Sequence, residues 1–302
     1  MPKQNIFKRS LSILSQTAGG WVRDNAMRLS ASLSLYTILS LAPLLVITFK
    51  LVGLLLRNKD YAQEQISRQL VSLMGPQAAD AIRPILESGS KPGHGVLAAT
   101  ISSGVLVFSA TGVFAELQNA MNIIWQVQPK PNQGIMGFIR NRLLSVGMVF
   151  GIAFLLLVSM FVSTVLATMT QEIAPNTKGL AFLVDIAVSF GVVSVLFAAI
   201  FKFLPDVKVP WKHVWLGAVI TAALFTVGKY GLTLYFKFAS PTSAFGASGS
   251  LVAVLLWVYY SSFILFFGAE FTKVWAIRHD HRISPADHAR KIKANNADAN
   301  KR

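Results

Sequence analysis

The stretch FGASGSLVAVLLWVYYSSFILFFGAEFTKVW, from Phe245 to Trp275, decides the fold. It opens on small residues, continues as an apolar run, carries two adjacent tyrosines and meets one acid, Glu270. It is too apolar for a surface helix of a soluble protein and too polar for a plain lipid-facing anchor. On a helix, Ser248, Tyr259, Ser262, Phe266 and Glu270 share one narrow face, because eleven residues make almost three turns. That stripe is expected to look inward. Gly246 and Gly249, at its start, allow tight turning or close helix contact. Tyr259 falls near mid-span, where an interfacial anchor is out of place, so it hydrogen-bonds across helices or lines a cavity. Ordinary interhelical packing is the alternative for each of these residues.

Composition agrees with a membrane chain. Its 302 residues are 53% hydrophobic and 14% charged, against about 25% charged in soluble domains; mean hydropathy is +0.54. There are no cysteines, which excludes disulfides and thiolate metal sites. A span needs about 20 mostly apolar residues. Six candidates result: Ala31–Leu56, Gly95–Ala115, Leu143–Met169, Leu180–Leu204, His213–Phe236 and Ser248–Ala276. No cleavable signal peptide is expected. Lys and Arg concentrate before Arg28, around Lys130, Arg140 and Arg142, around Lys202, Lys208 and Lys212, and from Lys273 onward. Under the positive-inside rule this predicts both termini in the cytoplasm. The net charge of +15 is thereby a topology signal, with anionic lipid headgroups as its natural partners.

Three regions lie outside the spans. Residues 1–30 form an interfacial segment, in which Phe7, Leu11, Leu14, Ala18 and Trp21 recur at helical spacing. A helix packed on the cytoplasmic loops is the alternative. The outer loop 57–94 holds two short amphipathic helices, Asp60–Met74 and Pro76–Ser88. Residues 277–302 read as a basic, disordered cytoplasmic tail.

Several quoted segments together resemble the YihY/BrkB family of bacterial membrane proteins, called "virulence factor BrkB" and once labelled ribonuclease BN. They are ASLSLYTILSLAPLL from Ala31, VFSATGVFAELQNAMNIIW from Val107, KFLPDVKVPWKHVWLGAVITAALFTVGKYGLTLYF from Lys202, and LLWVYYS with FGAEF in the last span. The resemblance implies a six-helix protein of the bacterial cytoplasmic (inner) membrane, with transport suspected and no settled molecular activity.

Ionisable residues inside spans need a local explanation, since each costs about 2.5–3.5 kcal/mol at a helix centre. Lys50, Asp185 and Lys229 fall at similar depth, roughly 8–11 Å inside the outer boundary at 1.5 Å per residue. Asp185 is expected to pair with Lys229, Lys50 or both; snorkelling of the lysines is the alternative. At the cytoplasmic side, Glu116 ends span two and Glu270 ends span six. Arg140, Arg142 and Lys273 are near enough in depth to pair with them. These acids either lock helix ends together or form a gate. In span one, Ser30, Ser34 and Thr37 follow helical spacing, and Pro43 is expected to kink the helix.

The residues argue against an enzyme. No two-metal nuclease pattern of histidines and aspartates occurs, and HDHRISPADH from His279 reads as solvated tail rather than metal site. No phosphate-binding loop for ATP occurs, no cofactor motif is present, and specific nucleic-acid binding is not expected. The expectation is an all-α, six-span bundle that moves an amphiphilic or anionic cargo, with a non-catalytic envelope scaffold or assembly factor as the alternative. The oligomeric state is left open.

Overall fold

The computed structural model describes residues 4–40, 64, 66–68, 70–71, 112–131, 147, 151, 178–239, 249–280 and 283–292. The expectations placed on Pro43, Lys50, Arg140, Arg142, Gly246 and Ser248 lie outside them.

Helix α1 is Gln4–Arg23. It ends where Asn25 adopts φ 53°, a left-handed conformation that asparagine tolerates better than most residues. The Asp24 N–H closes the last turn on the Gly20 carbonyl, and the Arg28 and Leu29 N–H groups restart a helix on the Asn25 carbonyl. Helix α2 then covers 26–40 of the described chain. Helix α3 (112–124) ends in the same way, with Gln126 at φ 54°, and leads into strand β1, Val127–Pro129.

Helices α4 (Lys178–Phe203), α5 (Trp211–Ala239) and α6 (Gly249–His279) are apolar through most of their length. The windows Ile186–Phe203, Trp211–Phe238 and Val252–His279 are long and apolar enough to cross a membrane. At 31 residues, α6 is about 46 Å long, against a hydrocarbon core of about 30 Å. Helix α5 packs against both α4 and α6, and α1 lies along α6. The buried core, with Phe197, Phe201, Val214, Ala218, Phe266 and Ala269, fills the space between them.

Two GAxxT segments hold α5 against α6. One is Gly217–Thr221 and the other is Gly268–Thr272. A Cβ on Gly217 would stand 1.8 Å from Thr272 Oγ1, and one on Gly268 would stand 1.9 Å from Thr221 Oγ1. Each threonine therefore sits in the notch of the other helix's glycine, which lets the backbones approach closely. Each hydroxyl donates to the carbonyl of its own helix's glycine, at 2.6 Å for Thr221 and 2.7 Å for Thr272. Further along the pair, the Tyr260 ring occupies the notch of Gly228.

The C-terminal segment departs from expectation. Helix α6 continues to His279, past the expected end at Ala276. Residues 283–292, expected as part of a disordered tail, fold back as a strap instead. Strand β2, Ala289–Lys291, pairs antiparallel with β1, placing Val127 opposite Lys291 and Gln128 opposite Arg290. The reason is polar satisfaction. Asp206, in the α4–α5 connection, is 4% exposed and needs donors. Asn122 Nδ2 (2.9 Å), Gln118 Nε2 (3.2 Å) and His288 Nε2 (2.8 Å) all reach its carboxylate. The Asp206 N–H in turn donates to Asn122 Oδ1, and the Ala286 N–H donates to the Asp206 carbonyl. One buried carboxylate thus ties α3, the α4–α5 connection and the strap together.

Candidate functional site

Among the described residues, the strongest local concentration of buried charge is where α1 meets the C-terminal third of α6. Glu270 is fully buried. Its carboxylate lies against Gly20 of α1, where a Cβ would come within 2.8 Å of Oε2. Glycine at that position is what lets the two helices close over the acid. Lys273 follows one turn later and is 7% exposed. Its Nζ is 3.3 Å from both Glu270 oxygens and 3.3 Å from Asp24 Oδ2 at the end of α1. Oε2 receives no hydrogen bond of good geometry, although Nζ is within ion-pair distance. Arg23 approaches the other oxygen of Asp24 at 3.6 Å from an exposed position. A buried ion pair is held only while all its partners remain, because removing one leaves an uncompensated charge.

The surrounding wall is aromatic. Trp21 meets Phe263 edge to face at 4.3 Å, and its indole N–H is buried with no hydrogen-bond partner. The helix places the two kinds of contact on opposite sides of α6. Gly268 and Thr272 face α5, while Glu270, two residues from each, faces α1.

Helix α1 divides into three faces. Ile13, Thr17 and Trp21 are buried against the bundle. Leu11, Leu14 and Val22 stay exposed, with Ala18 on the same side. Lys8, Gln16 and Arg23 form the polar side. The expected single apolar stripe is therefore split: Trp21 belongs to the packed face, whereas Leu11, Leu14 and Ala18 point away from it. Arg278 of α6 fastens the helix from its other end by donating to Ser12 Oγ at 2.9 Å.

The remaining expected residues fall as follows. Ser262, Phe266 and Glu270 are buried along one face, and Tyr259 is half-buried. Ser262 turns its hydroxyl back to the Val258 carbonyl at 2.7 Å. Ser30, Ser34 and Thr37 bond to carbonyls of their own helix in the same manner. Glu116 accepts a 2.6 Å hydrogen bond from Ser32 of α2, tying α3 to α2. Asp185 and Lys229 sit at matching distances along α4 and α5 from the connection between those helices. The Lys229 ammonium lies 5.1 Å from the centre of the Tyr230 ring. Gly249 begins α6. Among the described residues, no group of three or more His, Asp or Glu side chains is placed to hold a metal ion.

Reading the sequence alone missed Asp24, Gly20 and the Asp206 clamp. Asp24 sits outside any span and carries no depth signal. The only hint of Gly20 was a Gly-Gly pair in an otherwise good helix, which costs propensity and so asks for a packing reason.

The family model described as virulence factor BrkB matches residues 17–293. Among curated relatives, a UPF0761 membrane protein of Psychrobacter sp. (strain PRwf-1) is 27% identical over 270 residues, covering 88% of this chain and 49% of the relative. One from Ralstonia nicotianae is 27% identical over 248 residues, covering 82% of this chain and 54% of the relative. One from Alteromonas mediterranea is 27% identical over 251 residues, covering 82% of both. The chain thus spans about half the length of the first two relatives. No solved structure matches.

Proposed function

The chain belongs to the virulence factor BrkB family of integral membrane proteins, and from that premise we propose that it translocates an anionic amphiphile across the bacterial inner membrane. In this reading the bundle has six spans and both termini are cytoplasmic, with α1 lying in the cytoplasmic interface. Exposed aromatics on α5 support the membrane level. Trp211 and Trp215 mark one end; Tyr230, Tyr235 and Phe238 mark the other. From Trp215 to Tyr235 the helix rises about 30 Å, which is the hydrocarbon thickness between two aromatic belts. The exposed apolar face of α1 suits burial among acyl chains beside its own polar face.

The observation that carries the proposal is the cluster of Glu270, Lys273 and Asp24, which joins a surface helix to a spanning helix through buried charge. A purely structural joint of this kind is no more stable than an apolar one of the same volume. A joint that must open and reclose has a use for it. The GAxxT interlock of α5 on α6 favours a second reading, a static envelope scaffold, because it has no evident moving part.

The test is movement of a fluorescent anionic lipid between leaflets of liposomes holding the purified protein. Translocation predicts movement by the wild type that is lost in Glu270→Gln and Asp185→Asn while both variants stay folded. Movement no faster than in empty liposomes would refute it and leave the scaffold.

A further inference from the structure

A cavity of about 140 Å³ lies beneath the strap. Its walls come from Trp125, Val207, Ile277 and Ile283, with Lys273 and Lys291 as its charged residues. A cavity of about this size accepts a group of six or so heavy atoms. Among the described residues, no carboxylate lines it. Lys273 is the lysine of the buried cluster, and two of its three N–H groups are directed at Asp24 and Glu270. Lys273 also contributes to the cavity wall. Lys291 lies on β2, opposite Val127, so its ammonium is carried by the cover itself.

We propose that this cavity is a binding site for a small anionic group with a short apolar body, a phosphate monoester or a carboxylate, seated between Lys273 and Lys291 and enclosed by the strap. The apolar walls take the carbon part, and the two ammonium groups take the charge. The strap supplies one wall of the site. The strap is held by His288 to Asp206, Lys208 to Asp287 at 2.6 Å, the Lys208 N–H to the Ser284 carbonyl, and the short β1–β2 ribbon. Binding at this site does not depend on whether any cargo crosses the membrane.

The chain has no cysteine, which makes a site-directed label clean. Ile277→Cys puts a thiol on the cavity wall at a half-exposed position. Its rate of modification by a maleimide would be followed in purified, detergent-solubilised protein with increasing ethyl phosphate, and separately with inorganic phosphate. The expected result is saturable protection by ethyl phosphate. Adding Lys273→Gln or Lys291→Gln should weaken that protection about tenfold, the scale of one hydrogen bond to a charged group. Protection by inorganic phosphate at similar concentration supports the site and assigns it to a free anion; protection by ethyl phosphate alone supports it and assigns it to an alkyl phosphate. No protection by either compound, or protection unchanged in the folded Lys291→Gln variant, overturns the proposal. Because the assay reads binding in detergent, a failed translocation experiment leaves its outcome intact.

Discussion

Helix α6 is held in two different ways on its two sides. Toward α5 the contact is made by glycine, threonine and alanine, with hydroxyls satisfied inside their own helices. Toward α1 it is made by Glu270, Lys273 and Asp24, none of which is satisfied within its own helix alone. The first contact depends on shape and has one arrangement. The second depends on charge and on every partner staying in place. A protein that needs a fixed frame and a part that moves against it would divide its contacts in this way.

Breaking the charged side should have the largest effect. Lys273→Met leaves Glu270 and Asp24 buried beside each other without a cation, at a cost of about 3–5 kcal/mol. Thermal unfolding in detergent should fall well below wild type, and adding Glu270→Gln should recover part of the loss. No recovery would mean that Lys273 contributes through packing rather than through charge. The shape side comes next. Gly217→Ala should cost about 1–3 kcal/mol by overpacking, since its new methyl meets a β-branched threonine that has little rotamer freedom in a helix. Thr272→Ala in the same chain removes the hydroxyl and methyl from the notch and leaves only the threonine Cβ position, 2.9 Å away, so part of the loss should return. If the two changes add instead of compensating, the interlock is not the contact described.

Much of the frame was legible in the sequence, and much of the site was not. The apolar length of 178–203, 211–239 and 249–279 announces α4, α5 and α6, because a bilayer imposes a length that few other environments do. The inward face of Ser262, Phe266 and Glu270 followed from helical periodicity, and Lys273 as a partner for Glu270 followed from spacing. The third member, Asp24, comes from a distant helix, and no periodicity connects residues that far apart. The strap was misread for a related reason. Its composition is polar, as a disordered segment's would be, but its order comes from Asp206, whose carboxylate is buried and accepts from His288. A polar segment folds when a buried acceptor elsewhere needs its donors, and that need is visible only in three dimensions.

The smallest expected effects belong to the strap, and they separate its inner contact from its outer one. His288→Ala removes one donor from buried Asp206, while Asn122 and Gln118 remain. The loss should be about 1–3 kcal/mol for a buried acceptor left short of a partner, seen as faster amide exchange at Ala289–Lys291 with α5 and α6 unaffected. Asp287→Asn removes an exposed pair with Lys208, and exposed pairs contribute little, so exchange at neutral pH should barely change. Its signature is in the pH dependence. The Lys208 ammonium, bonded to Asp287, holds that carboxyl below its ordinary value. A depressed carboxyl contributes stability that is present above its unfolded-state pKa and is lost as pH falls through the folded one. Strap protection in the wild type, taken relative to the intrinsic exchange rate at each pH, should therefore fall on acidification below the usual carboxylate range, and Asp287→Asn should lack that component. If protection falls alike in both proteins, the outer pair plays no part in holding the strap, and the Asp206 clamp carries it alone.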